Sequence, residues 1–229
     1  SYTLRAQRVV DRTQNIALDG EYGVDPVWSE GRIGGAMGLN GLQAATVADH
    51  AALDFNRAFT IEAWVKVDSY ANTWTPIFYK GNANDPDARV YSAWLQSNGS
   101  IWFGVRDASG QQAIQTAGGL IPAGEWHHLA VVMDRDAQQM RVLVDGVVQR
   151  TGSVRTADNL ASADPLYLGT NVEPGNDYAN LRGSLDEIRL WNVARGAAEI
   201  AAAKDAAVDA ASAGLVAYLK ADATSGRSV

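Results

Sequence analysis

Apolar and polar residues alternate along most of the chain, which is the pattern of half-buried β-strands. Residues 59–67 (FTIEAWVKV) show it best, because every odd-numbered position is apolar and the even-numbered positions include Thr60, Glu62 and Lys66. The stretches EWHHLAVVMD, PLYLGT, LDEIRLWNV and GLVAYLKA predict further strands. Residues 196–212 instead predict a helix, from their alanines and their lack of β-branched runs.

Glycine-containing dipeptides divide the strands into antiparallel hairpins. Asn98-Gly99 is the strongest short-range turn signal, and Ser109-Gly110 and Asp145-Gly146 predict two more turns. Hairpins in series with one short late helix predict an all-β protein built as a two-sheet antiparallel sandwich. Strands and helices do not alternate along the chain, so the sequence does not predict a doubly wound fold.

The turn at Asn98-Gly99 also divides the neighbouring side chains between two faces. A two-residue turn would pair Ser97 with Ser100, so that one face carries the apolar positions Trp94, Ile101, Phe103 and Val105. The other face would then carry Tyr91, Leu95, Trp102 and Arg106, with a hollow over Ala93 and Gly104. That second face is a candidate surface for stacking on a ligand ring. Candidate ligand-binding residues, with two from a nearby loop and one farther along the chain, are Tyr70, Trp74, Tyr91, Trp102, Arg106 and Tyr178.

Composition limits the classes of partner. The chain has 229 residues, 47% of them apolar, and a net charge of −7 with no cysteine. Because the charge is negative, the surface does not favour the phosphates of nucleic acid. No apolar run is long enough for membrane insertion as a helix. The absence of cysteine excludes disulfides, thiolate metal sites and a cysteine nucleophile.

Six motifs in order, over about residues 31–221, resemble the laminin-G-like and pentraxin-like jelly rolls of the concanavalin A-like group. They are GRIGGAMGLNG, AFTIEAWVK, GEWHHLAVVMD, VLVDG, YLGTN and GSLDEIRLWNVAR. The resemblance implies a jelly-roll sandwich, in which Trp64, Trp126 and Trp191 belong to buried motif positions. Residues 1–229 are then expected to form one such domain, a module cut from a larger protein, with a permuted version of the fold as the alternative.

The resemblance also implies calcium. In pentraxins two loops at one end of the sandwich hold this ion, and here GNANDPDAR and GTNVEPGNDYANLRG occupy those positions. Calcium takes six to eight oxygen ligands, which two such loops could supply. The candidate ligands are Asn82, Asn84, Asp85, Asp87, Asn171, Glu173, Asn176 and Asp177. The alternative is that these residues only form turns, which Asn, Asp, Pro and Gly do well.

Asp186 is a second metal candidate. In related concanavalin A-like enzymes an aspartate of the corresponding late strand holds a structural calcium on the convex side, and here Asn40 and Gly41 could join it. The alternative for Asp186 is a buried acceptor or an ion-pair partner.

Catalytic motifs are not found in the sequence. Retaining glycosidases of this group carry paired carboxylates on one strand, and the E-x-D-x-x-E pattern is missing. Asp186 and Glu187 are adjacent, so on a regular strand they would point to opposite faces. His127 and His128 occupy a family motif, and the structural interpretation has both rings hydrogen-bonded near a strand start.

The sequence therefore predicts a non-catalytic, calcium-dependent recognition module of an exported bacterial surface protein or adhesin. The expected ligand is a glycan or another cell-surface ligand, and the other expected partners are neighbouring domains of the same polypeptide. Two alternatives stay open. One is a structural or protein–protein interaction module that binds calcium for rigidity, and the other is an unrecognised polysaccharide-active enzyme.

Overall fold

In a computed structural model, the described part of the chain folds into two antiparallel sheets. The structure describes residues 2–4, 18–20, 27–41, 45–70, 74–81, 89–155, 160–170 and 179–222, and only the backbone of the first two segments. The strands are β1 (Tyr2–Leu4), β2 (Leu18–Gly20), β3 (Val27–Glu30), β4 (Gly35–Asn40), β5 (Ala45–Val47), β6 (Ala58–Val67), β7 (Trp74–Gly81), β8 (Arg89–Gln96), β9 (Ile101–Asp107), β10 (Gly110–Gln115), β11 (Trp126–Asp134), β12 (Gln139–Val144), β13 (Val147–Ser153), β14 (Leu166–Leu168), β15 (Arg182–Trp191) and β16 (Leu215–Leu219). The helical segments are a 3₁₀ turn at Ala51–Leu53 and the helix α1 at Ala197–Ala203.

The strand order defines a sandwich. Sheet I runs β1-β2-β5-β14-β7-β8-β9-β10, and sheet II runs β13-β12-β11-β6-β15-β4-β3, with β16 also paired to β15. The alternation predicted for β6 is confirmed, because Phe59, Ile61 and Val65 point into the core between the sheets. The predicted two-sheet antiparallel fold is therefore confirmed for the described residues.

One edge of β15 is shared by two strands from distant parts of the chain. Its first half pairs with β4, from Arg182 against Asn40, and its second half pairs with β16, from Ile188 against Leu219. The two partners meet in line, where the backbone N–H of Gly35 donates to Asp222 Oδ1 at 2.9 Å. The β15 residues opposite this junction are Asp186 and Glu187.

The predicted helix is much shorter than its alanine-rich sequence. Helix α1 has seven residues, and Glu199 accepts from the backbone N–H of Gly196 to cap its start. At its end, side chains of sheet II donate hydrogen bonds to backbone carbonyls that would bond within the helix if it continued. Arg189 donates to the carbonyls of Ala203 (3.0 Å) and Ala206 (2.6 Å), and Trp64 Nε1 donates to that of Lys204 (2.8 Å).

Candidate functional site

The outer face of sheet I carries a group of aromatic side chains away from the main core. We call it the aromatic face, and it consists of Trp74, Tyr79, Trp94, Trp102 and Tyr167. Tyr79, Trp94 and Tyr167 are buried, whereas Trp74 and Trp102 are half-buried. The two half-buried rings are therefore the ones placed to contact a ligand, and the buried rings support them.

The hairpin that builds this face has a different register from the one the sequence predicts. Gln96 N–H donates to the carbonyl of Ser100, and Leu95 pairs with Ile101, so three residues form the loop. Gly99 takes a left-handed conformation (φ +75°), as the third residue of such loops commonly does. The extra loop residue shifts β8 by one position and exchanges its two faces.

This shift corrects the predicted faces of β8. Tyr91 is fully buried in the core, against Phe59 and Phe78, and its hydroxyl donates to the carbonyl of Leu53 at 3.1 Å. The prediction that Tyr91 belongs to a ligand surface is therefore wrong. Trp94, predicted as core, lies instead on the aromatic face, paired with Trp102 across β8 and β9.

The β9 positions agree with the prediction. Trp102 and Arg106 point to the outer face, and the hollow predicted over Gly104 is occupied by the Trp102 indole. A Cβ at Gly104 would overlap that ring, so only glycine lets the indole lie along the strand. Trp74 meets Trp102 edge-to-face, with the ring centroids 6.5 Å apart. The predicted proximity of Trp74 to Trp102 is therefore confirmed.

One end of the aromatic face is a pocket that we call the arginine pocket. It is a small open depression lined by Arg89, Ser92, Trp102, Gly104, Val105, Arg106 and Gln111. The guanidinium carbon of Arg89 lies 5.5 Å from the centroid of the Trp94 ring. The sequence prediction missed Arg89 and Trp94, because both depend on the register of β8.

The other end of the face carries amide and hydroxyl groups. Gln96 Oε1 accepts from Ser100 Oγ (3.0 Å) and from Gln115 Nε2 (2.8 Å), beside Trp102 in the sheet. Such groups can exchange hydrogen bonds with sugar hydroxyls. The aromatic face thus combines flat rings, neutral polar groups and two cations.

Of the two remaining predicted ligand residues, Tyr70 lies in the described part of the chain. Tyr70 packs against the main core, and its hydroxyl donates to the carbonyl of Ile121 at 2.8 Å. Burial raises the pKa of Tyr70 to about 12. Tyr70 is thus half-buried against the core and is not part of the aromatic face, and its role as a ligand residue stays a prediction. Tyr178 lies outside the described residues.

The two predicted calcium loops also lie outside the described residues, with all of Asn82, Asn84, Asp85, Asp87, Asn171, Glu173, Asn176 and Asp177. Their flanking residues are described, however. Residues 82–88 join the paired ends Gly81 and Arg89, whereas Ala179 donates to the carbonyl of Trp74 at the opposite end of β7. These bases are about 20 Å apart along an eight-residue strand. The register therefore gives no support to one ion shared by both loops.

A second group of polar and aromatic residues lies on the outer face of sheet II. We call it the covered face, because α1 and the chain that follows it lie over it. It consists of Glu62, Trp64, His128, Asp186, Glu187, Arg189 and Trp191, all buried. The predicted burial of Trp64 and Trp191 is confirmed, although on this face rather than between the sheets, and Trp126 is half-buried.

Asp186 and Glu187 lie on the same face, against the prediction that they point apart. Glu187 has a positive φ of 51° where the pairing of β15 with β6 shifts, and this bulge turns both side chains outward. The Glu187 carboxylate accepts from Arg189 and from the hydroxyl of Tyr218. Both carboxylates are at most 1% exposed, so a polysaccharide does not reach them in this conformation.

Asp186 closes a turn before β4. Its Oδ2 accepts from the backbone N–H groups of Arg32 (2.8 Å) and Ile33 (2.9 Å), and its Oδ1 is buried without a partner among the described residues. Burial, aided by the charge of Glu187, raises the pKa of Asp186 to about 7 despite those two hydrogen bonds. A carboxyl group with this pKa is protonated below neutrality and loses its proton around pH 7.

The predicted calcium partners of Asp186 are not beside it. Asn40 pairs with Arg182, four residues from Asp186 along β15, and Gly41 follows Asn40. Within the described ranges no three His, Cys, Asp or Glu side chains are grouped as metal ligands would be. Asp186 offers one carboxylate oxygen, so it does not match the oxygen set that calcium requires. The structure favours the alternative of a buried acceptor.

The prediction that both histidine rings are hydrogen-bonded near a strand start holds for His127 but not for His128. His127 Nδ1 lies 2.9 Å from Asp145 Oδ2, in the predicted turn at Asp145-Gly146. His128 has no hydrogen bond at either ring nitrogen in the described part of the chain, against the prediction. Burial and the charges of Arg189 and Lys204 lower the pKa of His128 to about 3, so the ring is neutral.

Solved structures with the same architecture include carbohydrate-binding domains. Domain 4 of an extracellular arabinanase from Geobacillus stearothermophilus, in complex with arabinotriose, is 21% identical, with a TM-score of 0.62 over 88% of this chain and 98% of that one. A Ruminococcus gnavus sialidase module bound to α2,3-sialyllactose is 12% identical, with a TM-score of 0.58 over 77% and 97%. A Bacteroides ovatus protein described as carbohydrate-binding is 19% identical, with a TM-score of 0.62 over 79% and 50%, so this chain spans half of its length.

Sequence comparisons give the family. No curated protein matches the chain significantly. None of the described helices is long and apolar enough to span a bilayer. A family model does match residues 39–201, which are more than half of the chain and contain β5 to β15. The chain therefore belongs to the laminin G type of the concanavalin A-like lectin/glucanase superfamily.

Proposed function

We propose that this domain is a non-catalytic glycan-binding module of an exported bacterial surface protein, and that the aromatic face is its ligand surface. The observation that carries the proposal is the half-buried pair Trp74 and Trp102, which lies between the arginine pocket and the amide groups of Gln96 and Gln115. Aromatic rings stack on the apolar face of a sugar, and nearby polar groups fix its orientation. The carbohydrate-binding domains with this architecture support the same assignment.

A non-catalytic role is supported by the covered face. The adjacent carboxylates of Asp186 and Glu187 are buried, and that of Glu187 accepts hydrogen bonds from Arg189 and Tyr218. Glycoside hydrolysis requires two carboxyl groups that flank an accessible glycosidic bond. The alternative functions, a protein–protein module or an enzyme, lack a comparable arrangement of described residues.

The test is glycan binding by the wild-type domain and a Trp102→Ala variant. A glycan array identifies an oligosaccharide, and calorimetry then measures its affinity. Loss of the stacking ring should weaken binding by roughly 1–3 kcal/mol, by analogy with the range for aromatic side chains stacked on nucleic-acid bases. Trp126→Ala is the matched control, because Trp126 is half-buried in sheet II and should leave the affinity unchanged.

The results separate the alternatives. An array without any ligand would contradict a glycan-binding function and favour the protein–protein alternative. Turnover of an oligosaccharide by the wild-type domain would contradict the non-catalytic role. A Trp102→Ala variant that fails to fold would show that the ring supports the sheet, and Gly104→Ala, described below, then tests the surface.

We also propose calcium binding, at the loops 82–88 and 171–178 rather than at Asp186. Support comes from their density of carboxylate and amide side chains, which suit this ion. Because the loop bases lie at opposite ends of β7, Asp85→Ala/Asp87→Ala and Glu173→Ala/Asp177→Ala should affect separate sites in a calcium titration. Equal loss of one site in both variants would mean a shared ion, and unchanged titrations would mean that both loops are only turns.

A further inference from the structure

The register of sheet I places a glutamine beside each of the two half-buried tryptophans. Gln96 of β8 pairs directly with Trp74 of β7, and Gln115 of β10 pairs directly with Trp102 of β9. Residues directly opposite each other on antiparallel strands have Cβ atoms roughly 4.5–5.5 Å apart. A ligand that stacks on either ring therefore has an amide group within reach of its substituents.

The two amide groups are hydrogen-bonded to each other. Gln96 Oε1 accepts from Gln115 Nε2 at 2.8 Å and from Ser100 Oγ at 3.0 Å. The Gln96 amide nitrogen and the Gln115 carbonyl oxygen have no hydrogen-bond partner among the described residues, and Gln115 is exposed. If both amides were turned over, the two residues would exchange roles, and one donor and one acceptor would still remain. The glutamine pair therefore presents a hydrogen-bond donor beside an acceptor.

The two indole rings meet at a right angle beside this pair. A Cβ at Gly104 would lie 2.2 Å from Trp102 Cη2 and 2.7 and 2.8 Å from its two ring neighbours, Cζ2 and Cζ3. These similar distances mean that the six-membered ring turns its face, rather than its edge, to the strand. The plane of Trp74 is inclined at 85° to that of Trp102. Trp102 therefore lies flat on the sheet with its other face outward, and Trp74 stands upright beside it.

A sugar stacked flat on Trp102 would turn its edge, which carries the substituents, towards Trp74. Hydroxyl substituents gain little from an aromatic surface, whereas a methyl group packs well against it. The glutamine pair beside Trp74 in turn suits a substituent that both accepts and donates a hydrogen bond. Both rings lie at the surface, so stacking on them requires no enclosed cavity.

We infer that the aromatic face selects sugars that bear an N-acetyl group. This inference rests on the proposed function, and it names the class of sugar that the same surface takes. An acetamido group brings a methyl group to Trp74, a carbonyl oxygen to the Gln96 amide N–H and an N–H to the Gln115 carbonyl. A hydroxyl group brings no methyl, and the methyl group of a 6-deoxy sugar brings neither a donor nor an acceptor.

The experiment compares sugars that differ only in this substituent. Chitotriose and cellotriose share β-1,4-linked gluco rings and differ at C2, where one carries an acetamido group and the other a hydroxyl. The methyl glycosides of N-acetylgalactosamine and galactose form a second pair, and calorimetry measures the dissociation constants. At least one acetamido sugar should bind roughly tenfold or more tightly than its hydroxyl analogue, as expected for two added hydrogen bonds. The pair that shows the difference identifies the sugar that carries the group.

The matched variants are Gln96→Ala and Gln115→Ala. Each should reduce the difference to roughly threefold or less and leave the affinity for the hydroxyl analogue within about twofold of wild type. Gln115 is exposed on the edge strand β10, so its variant keeps the test available if Gln96→Ala does not fold. Gln149→Ala is the control, because Gln149 is exposed on β13 of sheet II and should change neither affinity.

The outcomes separate the inference from the function on which it rests. Equal binding within both pairs would overturn the inference and leave the proposed function intact. The same holds if a methyl fucoside, which carries only the methyl group, binds more tightly than either acetamido sugar, or if the array yields a ligand without an acetamido group while the probes do not bind. A blank array together with no binding of any probe would overturn the proposed function itself.

Discussion

The outer faces of the two sheets use similar residues for different purposes. Each face carries tryptophans beside arginines, but on the covered face these side chains lie beneath α1 and residues 204–214, which we call the covering segment. There Glu62 accepts from Arg195 Nη1 (2.7 Å) and Trp191 Nε1 (2.9 Å), and Arg189 joins Glu187 to the helix end. On the aromatic face Trp74 and Trp102 stay half-buried. Residue type alone therefore does not mark a binding surface, since what matters is whether the chain itself provides the partners.

The same comparison separates two meanings of a perturbed pKa. Burial raises the pKa of Glu62, although Arg195 and Arg189 act in the opposite direction, and it raises that of Asp186 to about 7. Such shifts often indicate functional sites, but buried ion networks produce them as well. Here Glu62 is paired with Arg195 just before α1, and Asp186 is enclosed by the turn at Arg32 and Ile33, so the shifts belong to the folding energetics of sheet II.

The largest expected effect is on the covered face. Arg189→Met should lower the free energy of unfolding by roughly 3–5 kcal/mol, because it removes the guanidinium that pairs with the buried carboxylate of Glu187, lies 3.9 Å from that of Glu62 and donates to two helix-end carbonyls. Urea unfolding measures the change. Arg150→Met, on an exposed strand, should change stability by less than about 0.5 kcal/mol. Equal stability of the two variants would mean that the covered face is not held by this network.

The next effect concerns pH and has a definite sign. Because the pKa of Asp186 is near 3.8 in the unfolded chain and about 7 in the fold, the folded state binds more protons between these values. The contribution of Asp186 to stability is therefore complete below about pH 4 and is lost as the pH rises to about 7. Asp186→Asn should remove this loss, with a relative gain of roughly 2–4 kcal/mol across that window.

His128 acts with the opposite sign in an overlapping window, because its lowered pKa makes stability fall as the pH drops from about 6.5 to about 3. Only the difference between wild type and Asp186→Asn isolates Asp186. Asp68→Asn, at an exposed position, serves as the matched control. A constant offset between wild type and Asp186→Asn at all pH values would contradict the raised pKa. A calcium-dependent melting temperature lost in Asp186→Asn would restore the metal hypothesis for this residue.

A smaller effect sharpens the account of the aromatic face. Gly104→Ala should tilt the Trp102 ring, because the added Cβ overlaps the indole. We expect glycan affinity to fall by roughly tenfold or less, with a loss of stability below about 1.5 kcal/mol. Gly119→Ala is the matched glycine control, since Gly119 has open space around its Cβ position, although its positive φ adds backbone strain of its own. Unchanged affinity in Gly104→Ala would mean that the ring orientation is not used.

The sequence predicted the fold better than the site, for two local reasons. Alternation in β6 and the Asp145-Gly146 turn depend on neighbouring residues alone, so they could be predicted. The faces of β8 depended on whether the Asn98-Gly99 hairpin has two or three loop residues, and one residue exchanged Tyr91 for Trp94. Similarly, a positive φ at Glu187 turned both carboxylates to one face.

Trp102 and Arg106 were placed correctly because β9 follows the loop without the shift. Arg89 was missed because strict alternation would give it the core face of Tyr91, two residues away. The pairing of β7 with β8 shifts between Lys80 and Gly81, and Arg89 lies instead over the Trp94 ring on the outer face.

The most direct test follows both faces in one experiment. The seven tryptophans each give an indole N–H signal in a nitrogen–proton correlation spectrum, and single substitutions assign them. On titration with a glycan identified on the array, the account predicts that the signals of Trp102 and Trp74 move, while those of Trp64 and Trp191 stay in place under the covering segment. Movement of Trp64 and Trp191 with unchanged Trp102 and Trp74 signals would contradict the assignment of the ligand surface to sheet I.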